Sequence, residues 1–119
     1  MSQNVLVVDD DDLIRRAIAL ELRQRFNVYE AGSPEEALAV LERVEVVAVV
    51  SDLVMDGAGD AGIVLLEKIR LRAPAVIRLL ISGTLAAQLG SLKPEVAHAC
   101  MAKPWRAGEV LATIERLLG

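Results

Sequence analysis

The chain has 119 residues and a formal net charge of −4; it is 54% hydrophobic and 25% charged, with 8 Gly and 4 Pro. That is one domain's worth of sequence with ample apolar material for a core, which excludes disorder and a disulfide-dependent mini-fold. Its acidity, its three aromatics (Phe26, Tyr29, Trp105) and its solitary Cys100 and His98 argue against direct nucleic-acid binding, a disulfide framework and a cysteine- or histidine-rich metal site. The opening MSQNVLVVDDDD has no basic leader region, and four acids stop its apolar run. Neither a signal peptide nor a membrane contact is expected, and the cytoplasm is the default compartment.

In chain order, the apolar run Val5–Val8 reads as a first strand. A helix follows, with Leu13, Ile14, Ala17 and Ile18 on its inward face and Asp11 and Asp12 at its start as N-cap and dipole partner. Val28–Ala31 is a weaker second strand. Ser33-Pro34-Glu35-Glu36 has the form of a capping box with proline at the first helical position, and Ala37, Leu38 and Leu41 follow on one face. Val46–Val50 is the third strand. Leu65, Leu66 and Ile69 mark a third helix ending before Pro74. Val76–Ile81 is the fourth strand, a short helix is expected near Leu85–Leu92, and Ala97–Ala102 is the fifth strand. A last helix spans about Ala107–Leu118, with Val110, Leu111, Ile114, Leu117 and Leu118 inward. Near-continuous apolar strands alternating with helices predict a parallel α/β sheet covered on both faces, with right-handed crossovers. Five strands are too few for a closed eight-stranded barrel. An open doubly wound sheet in the order 2-1-3-4-5 is left, with its functional crevice at the strands' carboxyl ends.

The residues at those ends carry the chemistry. Strand one stops at Asp9-Asp10, strand three at Asp52, strand four at Ser82 and strand five at Lys103-Pro104. Strands one and three are neighbours in this order, about 4.8 Å apart, so three carboxylates meet. Like charges so close repel and raise one another's pKa, and a hard divalent cation such as Mg²⁺ relieves them. A lysine stem spans much of the two-strand distance from Lys103, and Ser82 lies between, followed by Gly83 for close backbone approach. Carboxylate nucleophile, metal, ammonium and hydroxyl together suit phosphoryl transfer, in which positioning and charge stabilisation do most of the catalysis.

At VLVVDDDDLIRR (5–16), VVSDLVM (49–55), LLISG (79–83) and AKPW (102–105), the sequence resembles the receiver domain of bacterial two-component response regulators, over about residues 3–119. The resemblance implies a single domain over 1–119 with the flavodoxin-like (βα)₅ three-layer sandwich. It also implies roles, residue by residue. Asp52 matches the phosphoacceptor, and Asp9 and Asp10 match the acidic pair that holds Mg²⁺ with Asp52 and the carbonyl of Val54. Ser82 matches the hydroxyl, and Lys103 the lysine that pairs with the phosphoryl group. Pro104 matches a proline usually preceded by a cis peptide. The implied partner is a sensor histidine kinase or a histidine phosphotransfer protein, with a downstream output protein or domain beyond it. A phosphorylation-linked homodimer is also open to such a domain.

The chain departs from the family pattern at Asp56, where a proline is common, and in MDGAGDAG (55–62), which is about two residues longer than usual. Cys100 stands where the family often carries Tyr or Phe as a rotating switch. Asp56 and Asp60 read as loop acids, His98 as a partly exposed histidine and Cys100 as a packed thiol. Two rival readings stay open. One is a degenerate receiver that binds partners without phosphorylation. The other is an aspartate-dependent phosphatase using Asp10 and Asp12, against which stand the short chain and the helical place of Asp12.

Overall fold

The computed structural model describes residues 3–55, 57–83 and 95–119. Five parallel strands, β1 (Asn4–Val8), β2 (Asn27–Ala31), β3 (Ala48–Asp52), β4 (Ile77–Ser82) and β5 (Ala99–Ala102), form one sheet in the order β2-β1-β3-β4-β5. The described helices are α1 (Asp12–Leu22), α2 (Pro34–Arg43), α3 (Ala61–Arg72) and α4 (Glu109–Leu118). The short helix expected near Leu85–Leu92 lies outside the described residues. No helix among those described is long and apolar enough to cross a membrane.

Side chains alternate across a strand, so each apolar run serves two cores. Val5, Val7, Ala48, Val50, Leu79 and Ile81 face α1 and α4, meeting Ile18, Leu22, Val110 and Ile114. Leu6, Val8, Val49 and Leu80 face α2 and α3, meeting Ala37, Val40, Leu65, Leu66 and Ile69. The winding reverses between β1 and β3, which opens the crevice at the carboxyl ends of these two strands.

Several expectations need correction. The inward face of α1 is Ile14, Ile18 and Leu22 with Ala19, while Leu13 is 82% exposed and Ala17 faces solvent. Apolar residues nearly encircle this helix, and positions 13 and 17 lie about 100° and 60° from Ile14, on the side away from Ile18 and Leu22. β3 starts at Ala48, not Val46, and includes Ser51 and Asp52; β5 starts at Ala99, not Ala97. Val46 and Ala97 are buried nonetheless, because burial reaches past the hydrogen-bonded ladder.

The helix starts are set by side chains. Asp11 Oδ1 accepts the N–H groups of Leu13 at 2.9 Å and Ile14 at 3.1 Å. Ser33 Oγ accepts Glu36 N–H at 3.2 Å, and the Glu36 carboxylate accepts Gly32 N–H at 2.8 Å, one residue before the usual capping-box partner. α4 begins after Gly108, at φ +84°, which has no side chain to cap with. Glu21 of α1 supplies the acceptors instead, taking Gly108 N–H at 2.8 Å and Leu111 N–H at 2.9 Å. A Glu21→Ala variant is expected to lose about 1–2 kcal/mol of stability, the range of a lost helix cap. Urea denaturation checks this, and Glu21→Gln, which keeps one acceptor, is expected to lose less.

β4 contains an exception to apolar continuity. Arg78 is 4% exposed, and its guanidinium donates to four backbone carbonyls: Val96 at 2.9 Å, Pro74 at 3.0 Å, Val76 at 2.9 Å and Glu95 at 2.9 Å. His98 adds to this fastening. It donates its N–H to Arg78 O, and its Nδ1 accepts Arg78 N–H at 3.0 Å. Burial, then the Arg78 charge, holds the His98 pKa below its ordinary value, which favours the neutral ring that this bond requires.

Candidate phosphoryl and metal site

Asp9 follows β1 directly and is 1% exposed, whereas Asp10 beside it faces solvent. Asp9 N–H donates to Ala31 O at 3.1 Å, continuing the β1–β2 ladder one residue past the strand. Asp9 Oδ1 accepts Asp11 N–H at 2.9 Å, which ties the carboxylate to the start of α1. Asp52 is the last residue of β3; its Oδ1 accepts Leu53 N–H at 3.0 Å.

One carboxylate oxygen from each of Asp9, Asp10 and Asp52 lies within 4.8 Å of the other two. Lys103, the residue after β5, enters the same crevice with Nζ 3.1 Å from Asp52 Oδ1 and 3.7 Å from Asp9 Oδ2. Its own N–H donates to Ser82 O at 2.8 Å, so the ends of β4 and β5 are paired there. The Lys103–Pro104 peptide is cis.

The structure therefore brings Asp9, Asp10, Asp52 and Lys103 together. Ser82 is buried at the end of β4, one residue past the partner of Asp52 in the β3–β4 register. Val54 lies two residues beyond Asp52 and is exposed. Burial is the largest influence on Asp9 and raises its pKa. The Asp11 N–H works against it, Asp52 adds to it, Lys103 opposes and Asp10 adds again, leaving the group raised. A buried carboxylate crowded by two others and aided by one ammonium is electrostatically unsatisfied. The donors are all oxygen and anionic, which fits a hard divalent cation such as Mg²⁺ rather than a soft metal.

The loop after β3 turns back on itself. Ala58 N–H donates to Met55 O at 2.9 Å and Met55 N–H to Ala58 O at 3.3 Å, with Gly57 at φ +77° in the turn. Asp56 lies outside the described residues, and Asp60 is an exposed loop acid at the start of α3. Among the described residues, a Cβ added at Gly83 would meet Lys103 Cδ at 4.0 Å, an ordinary contact. Cys100 is exposed, not packed: it sits on β5, which among the described residues has a neighbouring strand on one side only.

Two residues that support the site were missed. Gly62, in the first turn of α3, rests on the backbone of Asp52: a Cβ there would lie 2.1 Å from Asp52 O and 2.9 Å from Leu53 Cα. Its N–H donates to Leu53 O at 2.8 Å. A glycine inside a helical stretch costs about 1 kcal/mol relative to alanine, and that cost is the signal that could have pointed to a packing role. The other is Arg15, whose Nη1 donates to Asp9 O at 2.9 Å. Nothing in the spacing of α1 distinguishes it from Arg16, which faces solvent.

Comparison with known proteins agrees with this geometry. The family model described as the response regulator receiver domain matches residues 5–115. An NtrX-like response regulator of Rickettsia felis is 32% identical over 98% of this chain and 25% of its own length, so the chain spans about a quarter of that relative. The crystal structure of NtrX from Brucella abortus superposes with a TM-score of 0.88 at 28% identity, over 99% of this chain and 27% of that one. A CheY-like receiver domain protein from Methanospirillum hungatei superposes with a TM-score of 0.83 at 27% identity, over 98% of this chain and 94% of that one. With the sheet order, the paired ends of β1 and β3 and the family match in agreement, the chain belongs to the response regulator receiver domains of two-component signalling.

Proposed function

We propose that residues 1–119 act as one receiver domain and that Asp52 accepts a phosphoryl group from a phosphohistidine on a sensor kinase or a phosphotransfer protein. A carboxylate oxygen of Asp52 attacks phosphorus, the P–N bond breaks, and its electron pair and a proton end on the donor's imidazole. The product is an acyl phosphate on Asp52. Asp9, Asp10, Asp52 and the carbonyl of Val54 are the groups to hold Mg²⁺, which when bound neutralises charge on the phosphoryl oxygens. Lys103 then pairs with a phosphoryl oxygen, and the Ser82 hydroxyl donates to another. The added charge of roughly −1.5 to −2 draws Ser82 and its loop inward and changes the face that an output protein or domain, or a second copy of the chain, reads. This is a signalling role, not turnover of an external substrate.

The observation that carries the reading is the Lys103 ammonium 3.1 Å from the Asp52 carboxylate beside the acidic pair. The test is intact mass after incubation with Mg²⁺ and acetyl phosphate. One added phosphate is expected in the native chain and none in Asp52→Asn. A gain that survives in Asp52→Asn overturns the assignment of the acceptor, and no gain in the native protein overturns the phosphoacceptor reading.

A further inference from the structure

We infer that Arg15 is a positioning residue of the cation pocket, acting on the carboxylates through the backbone carbonyl of Asp9; this rests on the Mg²⁺ reading above. The side chain is largely enclosed, and its three nitrogens have three different partners. Nη1 donates to Asp9 O at 2.9 Å, Nε to Glu30 Oε1 at 3.1 Å, and Nη2 pairs with Asp12 Oδ1 at 2.7 Å. Glu30, at the end of β2, is held from its other side by Arg23 at 3.0 Å. The fork thus braces the turn between β1 and α1 against the neighbouring strand.

The consequence for the pocket follows from peptide planarity. The Asp9 carbonyl belongs to the peptide joining Asp9 to Asp10. Holding its oxygen fixes the plane of that peptide, and so the directions in which the side chains on either side of it leave the backbone. Asp9 and Asp10 repel each other and Asp52, so without a brace the turn would relax by spreading them. Arg15 opposes that spreading.

The geometric effect and the simple charge effect have opposite signs. Deleting a positive charge near a cation site tightens cation binding by Coulomb's law. Deleting a brace of the ligands loosens it, by about tenfold or more where ligand-orienting partners are removed. The experiment measures Mn²⁺ affinity of the full chain from the free-ion electron paramagnetic resonance signal, with Mg²⁺ as competitor, in the native protein, Arg15→Met, Arg15→Lys and Glu30→Gln. Arg15→Met is expected to weaken both ions about tenfold, and Arg15→Lys, which keeps the charge but not the fork, to weaken them less. Glu30→Gln, which removes the ionic partner and leaves the Asp9 carbonyl bond, is expected to lower thermal stability while leaving affinity within about twofold, the ligands being undisturbed. Unchanged or tighter binding in Arg15→Met, or an equal loss in Glu30→Gln, overturns the inference while the cation site stands. If Arg15→Met does not fold, Arg15→Lys at native affinity overturns it equally. Failure of the native chain to bind either ion overturns the Mg²⁺ reading, and the inference with it.

Discussion

Replacing Gly62 with alanine is expected to lower stability by roughly 3 kcal/mol, at the upper end of what an overpacked site costs, and to slow phosphoryl uptake sharply. An added Cβ would stand 2.1 Å from Asp52 O, and the atoms it meets are backbone on both sides. No side chain can rotate away, so either α3 lifts off the sheet or the end of β3 is pushed aside. The Gly62 N–H···O=C Leu53 bond, 2.8 Å long, joins the same two segments and is strained by either movement. The second movement displaces Asp52 from the Lys103 ammonium, and the first removes the helix that backs the end of β3. Urea denaturation reads the first effect, and the rate of mass gain with acetyl phosphate reads the second. Native stability in Gly62→Ala would show that the two segments can separate at little cost.

An effect of similar size, roughly 3 kcal/mol, is expected for Arg78→Met, but with its cause at the opposite end of the sheet. Four carbonyls that accept from one buried guanidinium would lose their donor at once. Each buried acceptor left unmade costs about 1–3 kcal/mol, and water entering at the sheet's edge recovers part of the sum. Burial, then Arg70, lowers the pKa of Arg78 while Glu67 raises it, so the charge is retained at a cost that the four bonds offset. Arg78→Lys keeps a charge without the planar fork and is expected to fall between the two. The segment that suffers first is Glu95–Val96, which leads into β5, so amide exchange of β5 should rise before that of β1 or β3. Uniform acceleration across the sheet would show that Arg78 stabilises the whole fold without a special hold on its edge.

Much of this was legible because strands buried on both faces are apolar throughout and stop abruptly. The runs ending at Asp9, Asp52, Ser82 and Lys103 marked the strand ends, and the sheet order placed them beside one another. The structure brings the three aspartates and the lysine together as that reading requires. What escaped has physical reasons. In α1 the apolar residues Leu13, Ile14, Ala17, Ile18, Ala19, Leu20 and Leu22 almost surround the axis, so no period could select the stripe. Arg78 sits in an apolar run and looks like an interruption; the carbonyls of the preceding turn and of the distant Glu95–Val96 segment explain it. Gly62 and Arg15 act on backbone atoms of the site, and a backbone carbonyl leaves no mark in the order of side chains.

The borrowed start of α4 bears on how the chain folds. Its capping acceptors come from a residue 87 to 90 positions earlier, so they become available only once the first helix and the last have docked on the same face. Helix nucleation is the costly step for so short a segment, and here its help arrives through a contact of very high sequence separation. The ten residues of α4 therefore gain much of their helical order together with the docking of α1, which joins the two helices into one cooperative unit.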